Sequence, residues 1–202
     1  MRRQVTVVLV TLALLTACGD DDGDADNNAG GSTAGTGGEA ALPAESPCTG
    51  AIDVTPRRSD GGHYRAGAPE TDTLRQPGLE GTPLVIHGYV LFPDCRTVPD
   101  AVLDVWQADV EGGFDDSGWR LRGVFRADDA GRYRIETILP GSVDGDPPTV
   151  HIKAAEEIGG RIVTTQIYLA APEAAPRAEL AVDPTESGDG LAARFDLVIE
   201  VG

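Results

Sequence analysis

Few residues of this 202-residue chain could do chemistry, and most fall in two polar loops and one strand. His151 stands between Val150 and Ile152 in a short apolar run that reads as a strand. Lys153 follows two positions on, and so lies on the same face. Before it comes the polar loop Asp144-Gly145-Asp146-Pro147-Pro148, and further upstream lie Asp109, Glu111, Asp115 and Asp116. An imidazole beside carboxylates can hold a transition metal, and Asp115, Asp116, Asp144 and Asp146, on two loops expected to converge, could hold calcium through oxygen alone. Acidic loops also occur as plain solvated surface. His63 precedes Tyr64 near the start of the domain. His87 lies mid-strand among Val85, Ile86 and Gly88, where packing or hydrogen bonding is the ordinary role. Trp106, in a strand, reads as core, whereas Trp119, in a loop, is the better candidate to stack a small aromatic ligand.

The elements that must position these residues are strands. From Gly131 to Lys153 the sequence reads as strand, loop, strand: Tyr133, Ile135 and Thr137 alternate with Arg134 and Glu136, and Pro140-Gly141 ends the first strand. Further strands are expected at 84–92, 101–108, 121–126, 133–138, 150–154, 162–169 and 195–201, with a hairpin turn at Asp128-Asp129-Ala130-Gly131. A short helix over 172–180 is interrupted by Pro176. No long window carries a 3.6-residue apolar period. The expected fold is all-β, an antiparallel β-sandwich of about seven strands.

A formal charge of −17 argues against nucleic-acid binding, which needs a basic face, and suits a protein kept soluble outside the cell. Residues 1–17 read as a signal peptide, with Arg2 and Arg3 ahead of an apolar run from Val5 to Leu15. Leu15-Thr16-Ala17-Cys18 resembles a bacterial lipobox, which implies cleavage before Cys18 and lipid anchoring of its sulfur to the cell membrane, with the protein outside the cytoplasm. Residues 18–46 then form an acidic, Gly-rich tether with too little apolar surface to order itself, and 47–202 form the domain. Cys48 and Cys95 remain, and in an exported protein one leftover pair suggests a disulfide. Two lone cysteines without CxxC spacing make a poor thiolate metal site.

Several stretches in this order and spacing resemble the intradiol ring-cleavage dioxygenases, the family of catechol and protocatechuate dioxygenases. They are Tyr64 to Glu70, Leu79 to Leu84, Val98 to Ala101, Val105-Trp106-Gln107-Ala108-Asp109, Leu121-Arg122-Gly123, Gly131-Arg132-Tyr133, Thr137 to Gly141 and Thr164 to Tyr168. The resemblance implies a β-sandwich and an Fe(III) site between its loops, held by two tyrosines and two histidines, since phenolate oxygens are hard anionic ligands suited to ferric iron. Carried over position by position, the tyrosines fall on Phe114 and Val143 and the histidines on Thr149 and His151. A substrate-side arginine falls on Asp146. Lys153 supports this frame, and Gln166 matches a glutamine that stands behind the metal ligands. A one-step shift, placing His151 and Lys153 at the histidine positions, does not improve the ligand count.

Three of the four ligand positions therefore lack a ligand. The expected function is a cell-envelope lipoprotein whose dioxygenase-like domain is catalytically degenerate and acts in binding, for which a small aromatic ligand is the candidate. One alternative is an active non-haem iron dioxygenase with His151 and carboxylates such as Asp144, Asp146, Asp109 or Glu111 rebuilding the site; the other is a calcium-binding module. The sequence names no partner protein and no oligomeric state.

Overall fold

A computed structural model of the chain describes residues 48–200. The signal peptide, Cys18 and the whole of the tether lie outside the described residues. Nine strands form two sheets: β1 Pro83–Leu91, β2 Val102–Gln107, β3 Arg122–Arg126, β4 Arg132–Ile138, β5 Thr149–Ala155, β6 Val163–Tyr168, β7 Thr185–Ser187, β8 Gly190–Arg194 and β9 Leu197–Val198. One sheet runs β3-β2-β5-β6. The other runs β4-β1-β8-β7, with β9 also paired to β1.

Strand alternation builds the core. Leu84 and Ile86 of β1, Leu103 and Val105 of β2, Ile135 of β4, and Val150 and Ile152 of β5 point between the sheets and are fully buried. Each such side chain removed from water contributes about 1.5–3 kcal/mol. A smaller cluster of Tyr89, Leu91 and Val198 sits beside Cys48 and Ile52. There the Cys48–Cys95 disulfide ties the start of the domain to the turn after β1, across a sequence separation of 47.

The sheets depart from the expected purely antiparallel arrangement. The β3-β2-β5-β6 sheet is antiparallel throughout. In the other, β8 and β9 both run parallel to β1, at Leu84–His87 and at Val90–Leu91. After β6 the chain leaves the first sheet through two 3-10 turns, Pro172–Ala174 and Ala178–Leu180, on either side of Pro176. It then returns along β1 rather than across it. The β7–β8 hairpin was not anticipated: Thr185–Ser187 is wholly exposed and β8 is Gly-Leu-Ala-Ala-Arg, so neither shows apolar alternation.

Candidate functional site

On β2, β5 and β6 the residues between the core positions form rows across the outer face of the four-stranded sheet. Arg122, Trp106, His151 and Gln166 stand in one row, and Val124, Asp104, Lys153 and Thr164 in the next. His151 thus lies on the side of the sheet away from the inter-sheet core. The segment 56–70 covers this face. Arg58 N–H donates to Thr164 O at 2.7 Å along β6, and a bridge joins Glu70 to Val124 along β3.

The two loops that carry the tyrosine positions come together as the resemblance requires. Gly141 N–H donates to Asp109 O at 2.8 Å. A Cβ on Gly141 would meet Val110 O at 2.5 Å, and one on Gly112 would meet Ser142 O at 2.7 Å. The loops touch backbone to backbone, so both positions exclude side chains. Phe114 is delivered to the sheet face. Its ring is stacked on the His63 imidazole with centroids 4.2 Å apart and planes 5° apart, and it meets His151 edge-on at 6.0 Å. Trp106 stacks on the other side of His151 at 5.1 Å. Trp106 is buried, as expected, but on the site face and outside the main core cluster. Trp119 lies instead beneath the Arg65 guanidinium, 4.6 Å from its ring centroid.

His151 is oriented through its back edge. The Tyr168 hydroxyl donates to Gln166 Oε1 at 2.9 Å, which leaves the Gln166 amide to meet His151 Nδ1 at 3.2 Å. The imidazole is therefore neutral, with Nδ1 accepting and Nε2 carrying the proton. Burial, then the neighbouring His63 and Arg122, lowers its pKa to about 4. Around it, Arg122 is buried and donates to His63 O, to Asp115 O and to Asp116 Oδ1. Tyr64 donates to Asp104 at 2.9 Å, and Lys153 bonds Asp60 at 2.7 Å with its ammonium 3.5 Å from the Tyr64 ring centroid. Burial and the Asp104 hydrogen bond push Tyr64 up to about 12, so it stays a phenol.

The acidic residues do not gather into a metal site; among the described residues no group of three or more His, Cys, Asp or Glu side chains could hold a metal ion. Asp109 accepts from Gly113 and Glu111 N–H and pairs with Arg120 at 3.0 Å. Asp115 is bound by the N–H groups of Arg120, Gly118 and Ser117, which hold its carboxyl far below the usual range. Asp116 pairs with His63 and Arg122. Asp144 and Asp146 are exposed, on the tight turn that Asp146 N–H closes onto Val143 O at 2.9 Å. The four carboxylates expected to form a calcium site thus have other partners or face solvent. His151 gains no carboxylate from Asp144, Asp146, Asp109 or Glu111.

Nor do the residues present fit ferric iron. Phe114 and Val143 offer no lone pair, and the Thr149 hydroxyl is spent on Pro147 O at 2.7 Å. His151 alone remains, and its Nδ1 already accepts a hydrogen bond. His63 matches none of the ligand positions that the resemblance implies. Only the path of segment 56–70 brings it onto Phe114, and no local pattern signals that path. His87 lies on the opposite sheet, in β1.

A sandwich with its site on one sheet's outer face, under a covering segment and two glycine-joined loops, defines the architecture of a dioxygenase domain. A family model described as "Dioxygenase" matches residues 60–161, which is 102 of 202 positions. The chain belongs to the intradiol ring-cleavage dioxygenase family. It is 31% identical over 162 residues to the catechol 1,2-dioxygenase of Pseudomonas sp. strain EST1001, covering 72% of this chain and 54% of that protein. It is 33% identical over 120 residues to that of Acinetobacter baylyi, covering 53% and 38%. The chain thus spans about half or less of the length of these curated relatives. Among solved structures, the dioxygenase domain of a dioxygenase carbohydrate-binding protein fusion from Streptomyces sp. SirexAA-E matches at TM-score 0.67 and 29% identity, over 74% of this chain and all of that one. Catechol 1,2-dioxygenase from Acinetobacter sp. ADP1, with bound mercury, matches at TM-score 0.64 and 25% identity, over 74% and 63%.

Proposed function

We propose that this chain is a ligand-binding member of its family that has lost ring-cleavage chemistry, and that it is held at the outer side of the cell membrane by a lipid on Cys18. The observation that carries the reading is the replacement of three ligand positions by Phe114, Val143 and Thr149, while no carboxylate moves in beside His151. What the substitutions leave is an aromatic platform. Phe114 presents a ring face that His63 covers, and the His151 imidazole, with a donor on Nε2, stands beside it with ring centroids 6.0 Å apart. A small planar aromatic compound displacing the His63 ring would keep the stacking and gain a hydrogen bond. The lipobox-like Leu15-Thr16-Ala17-Cys18 supports the anchor.

The test is the metal content and visible spectrum of the purified full chain, with assays for consumption of catechol and protocatechuate. The expected protein is colourless and iron-free, leaves both compounds intact, and shows saturable quenching of tryptophan fluorescence by an aromatic ligand. Stoichiometric iron with ring cleavage overturns the reading.

A further inference from the structure

The outer face of the other sheet carries an arrangement that the dioxygenase frame does not use. Strand register places Arg134 of β4, His87 of β1 and Arg194 of β8 side by side in one row on one face. Two arginines flanking one imidazole across strands leave a row that needs anions near it. Part of that need is met within the protein: Glu136 pairs with Arg134 at 3.0 Å and Asp196 with Arg194 at 3.3 Å. The centre of the row is not met. His87 Nδ1 is buried with no hydrogen-bond partner among the described residues. Burial, then Arg194 and Arg134, lowers the proton affinity of its ring.

A cavity of ≈ 330 Å³ opens beside this row, within the size range of small-molecule sites. Its floor includes Val85 and Ala192, its wall is the β7–β8 hairpin, and Arg75 reaches it from the stretch that precedes β1. No carboxylate of the described residues pairs with the Arg75 guanidinium. The Arg75 guanidinium, the His87 ring and a short apolar floor line the cavity beside the Glu136 and Asp189 carboxylates, and the first three match one chemistry. An anionic carboxylate would bond the guanidinium by charge-assisted hydrogen bonds, and a small hydrocarbon body would cover the floor.

We propose that this cavity is a binding site for a small organic monocarboxylate, with Arg75 receiving the carboxylate and His87 its second oxygen. The site is separate from the Phe114 platform and does not depend on the function proposed for it. His87 faces Arg134 and Glu136 from β4, Arg194 and Asp196 from the end of β8, and Arg75 and Asp189 across the cavity. A bound anion favours protonation of His87, so binding tightens as pH falls from 7.5 to 6.0.

The experiment titrates butyrate into the isotopically labelled full chain, followed by NMR, with butyramide as the neutral isostere. Expected are saturable shifts of the His87 ring and of residues 187–192, about tenfold or greater weakening in Arg75→Gln, and little response to butyramide. Arg75 is exposed, so the variant should keep the parent melting temperature, which is measured alongside. His87→Gln should bind more weakly and lose the pH dependence. The proposal is overturned by shifts that do not saturate, by equal response to butyramide, by undiminished affinity in Arg75→Gln, or by shifts confined to Phe114 and His151.

Discussion

Acidification should destabilise the fold mainly through His151, and the size of the effect can be worked from its surroundings. The imidazole is held neutral between Trp106 and the edge of Phe114, with Nδ1 accepting from Gln166, and its pKa lies at about 4 against an ordinary 6.5. Its folded-state pKa is depressed, so the unfolded chain binds the proton first. The contribution is fully present above the unfolded pKa and is lost as pH falls from about 6.5 toward 4. At about 1.36 kcal/mol per unit, the loss reaches roughly 2 kcal/mol at pH 5 and roughly 3 kcal/mol at pH 4, a large share of a typical 5–15 kcal/mol. His87, also depressed, adds in the same direction. Asp104, raised by burial, opposes it: its folded form is favoured as pH falls toward its own titration. Chemical denaturation at half-unit steps from pH 7.5 to 4.5 measures the slope, and His151→Gln should flatten it by about 2 kcal/mol at pH 5. An NMR titration that finds the His151 ring protonating near pH 6.5, or a His151→Gln variant with the parent's slope, refutes the reasoning.

The remaining predictions follow from the same geometry. Restoring the ligand set with Phe114→Tyr, Val143→Tyr and Thr149→His together should produce a chain that binds Fe(III) and shows a visible phenolate-to-iron band that the parent lacks; a colourless variant after ferric loading would show that the loops no longer aim these positions at one point. Gly141→Ala should push the 109–114 loop away, because its Cβ would meet Val110 O at 2.5 Å; a melting temperature lowered by several degrees and loss of aromatic-ligand quenching are expected. Breaking the Cys48–Cys95 bridge with Cys48→Ser should cost about 3–4 kcal/mol in the chain-entropy description of its 47-residue separation, read by urea denaturation. Metabolic labelling with a radioactive fatty acid should mark the parent chain and leave Cys18→Ser unlabelled, with the variant released from membranes.

Much of the architecture was legible in the sequence because it rests on local patterns. Short apolar runs bounded by turn residues, at 84–92, 101–108, 121–126, 133–138, 150–154 and 162–169, placed six strands within a residue or two. Pro140-Gly141 marked the end of β4 before its contact with the 109–114 loop was known. The sandwich follows from the number of strands and turns; the family resemblance points to Phe114 and Val143 as ligand positions, and no fold can give either side chain a lone pair. The Cys48–Cys95 bridge followed from arithmetic on the two cysteines left outside the expected signal segment.

Tertiary structure decided what lies far apart in sequence. That β8 and β9 run parallel to β1 depends on how the chain returns after Pro176, a choice made by packing and not by any strand's own pattern. The stacking of His63 on Phe114 joins residues 51 positions apart, and the row Arg134–His87–Arg194 exists only through strand register. Asp115 and Asp116 looked in sequence like cation ligands of the same kind as Asp144 and Asp146. Backbone N–H groups and Arg122 claimed the first two, and solvent took the others. Residue type sets which interactions a side chain can make, and burial and neighbours across the sheets set which of them it does make.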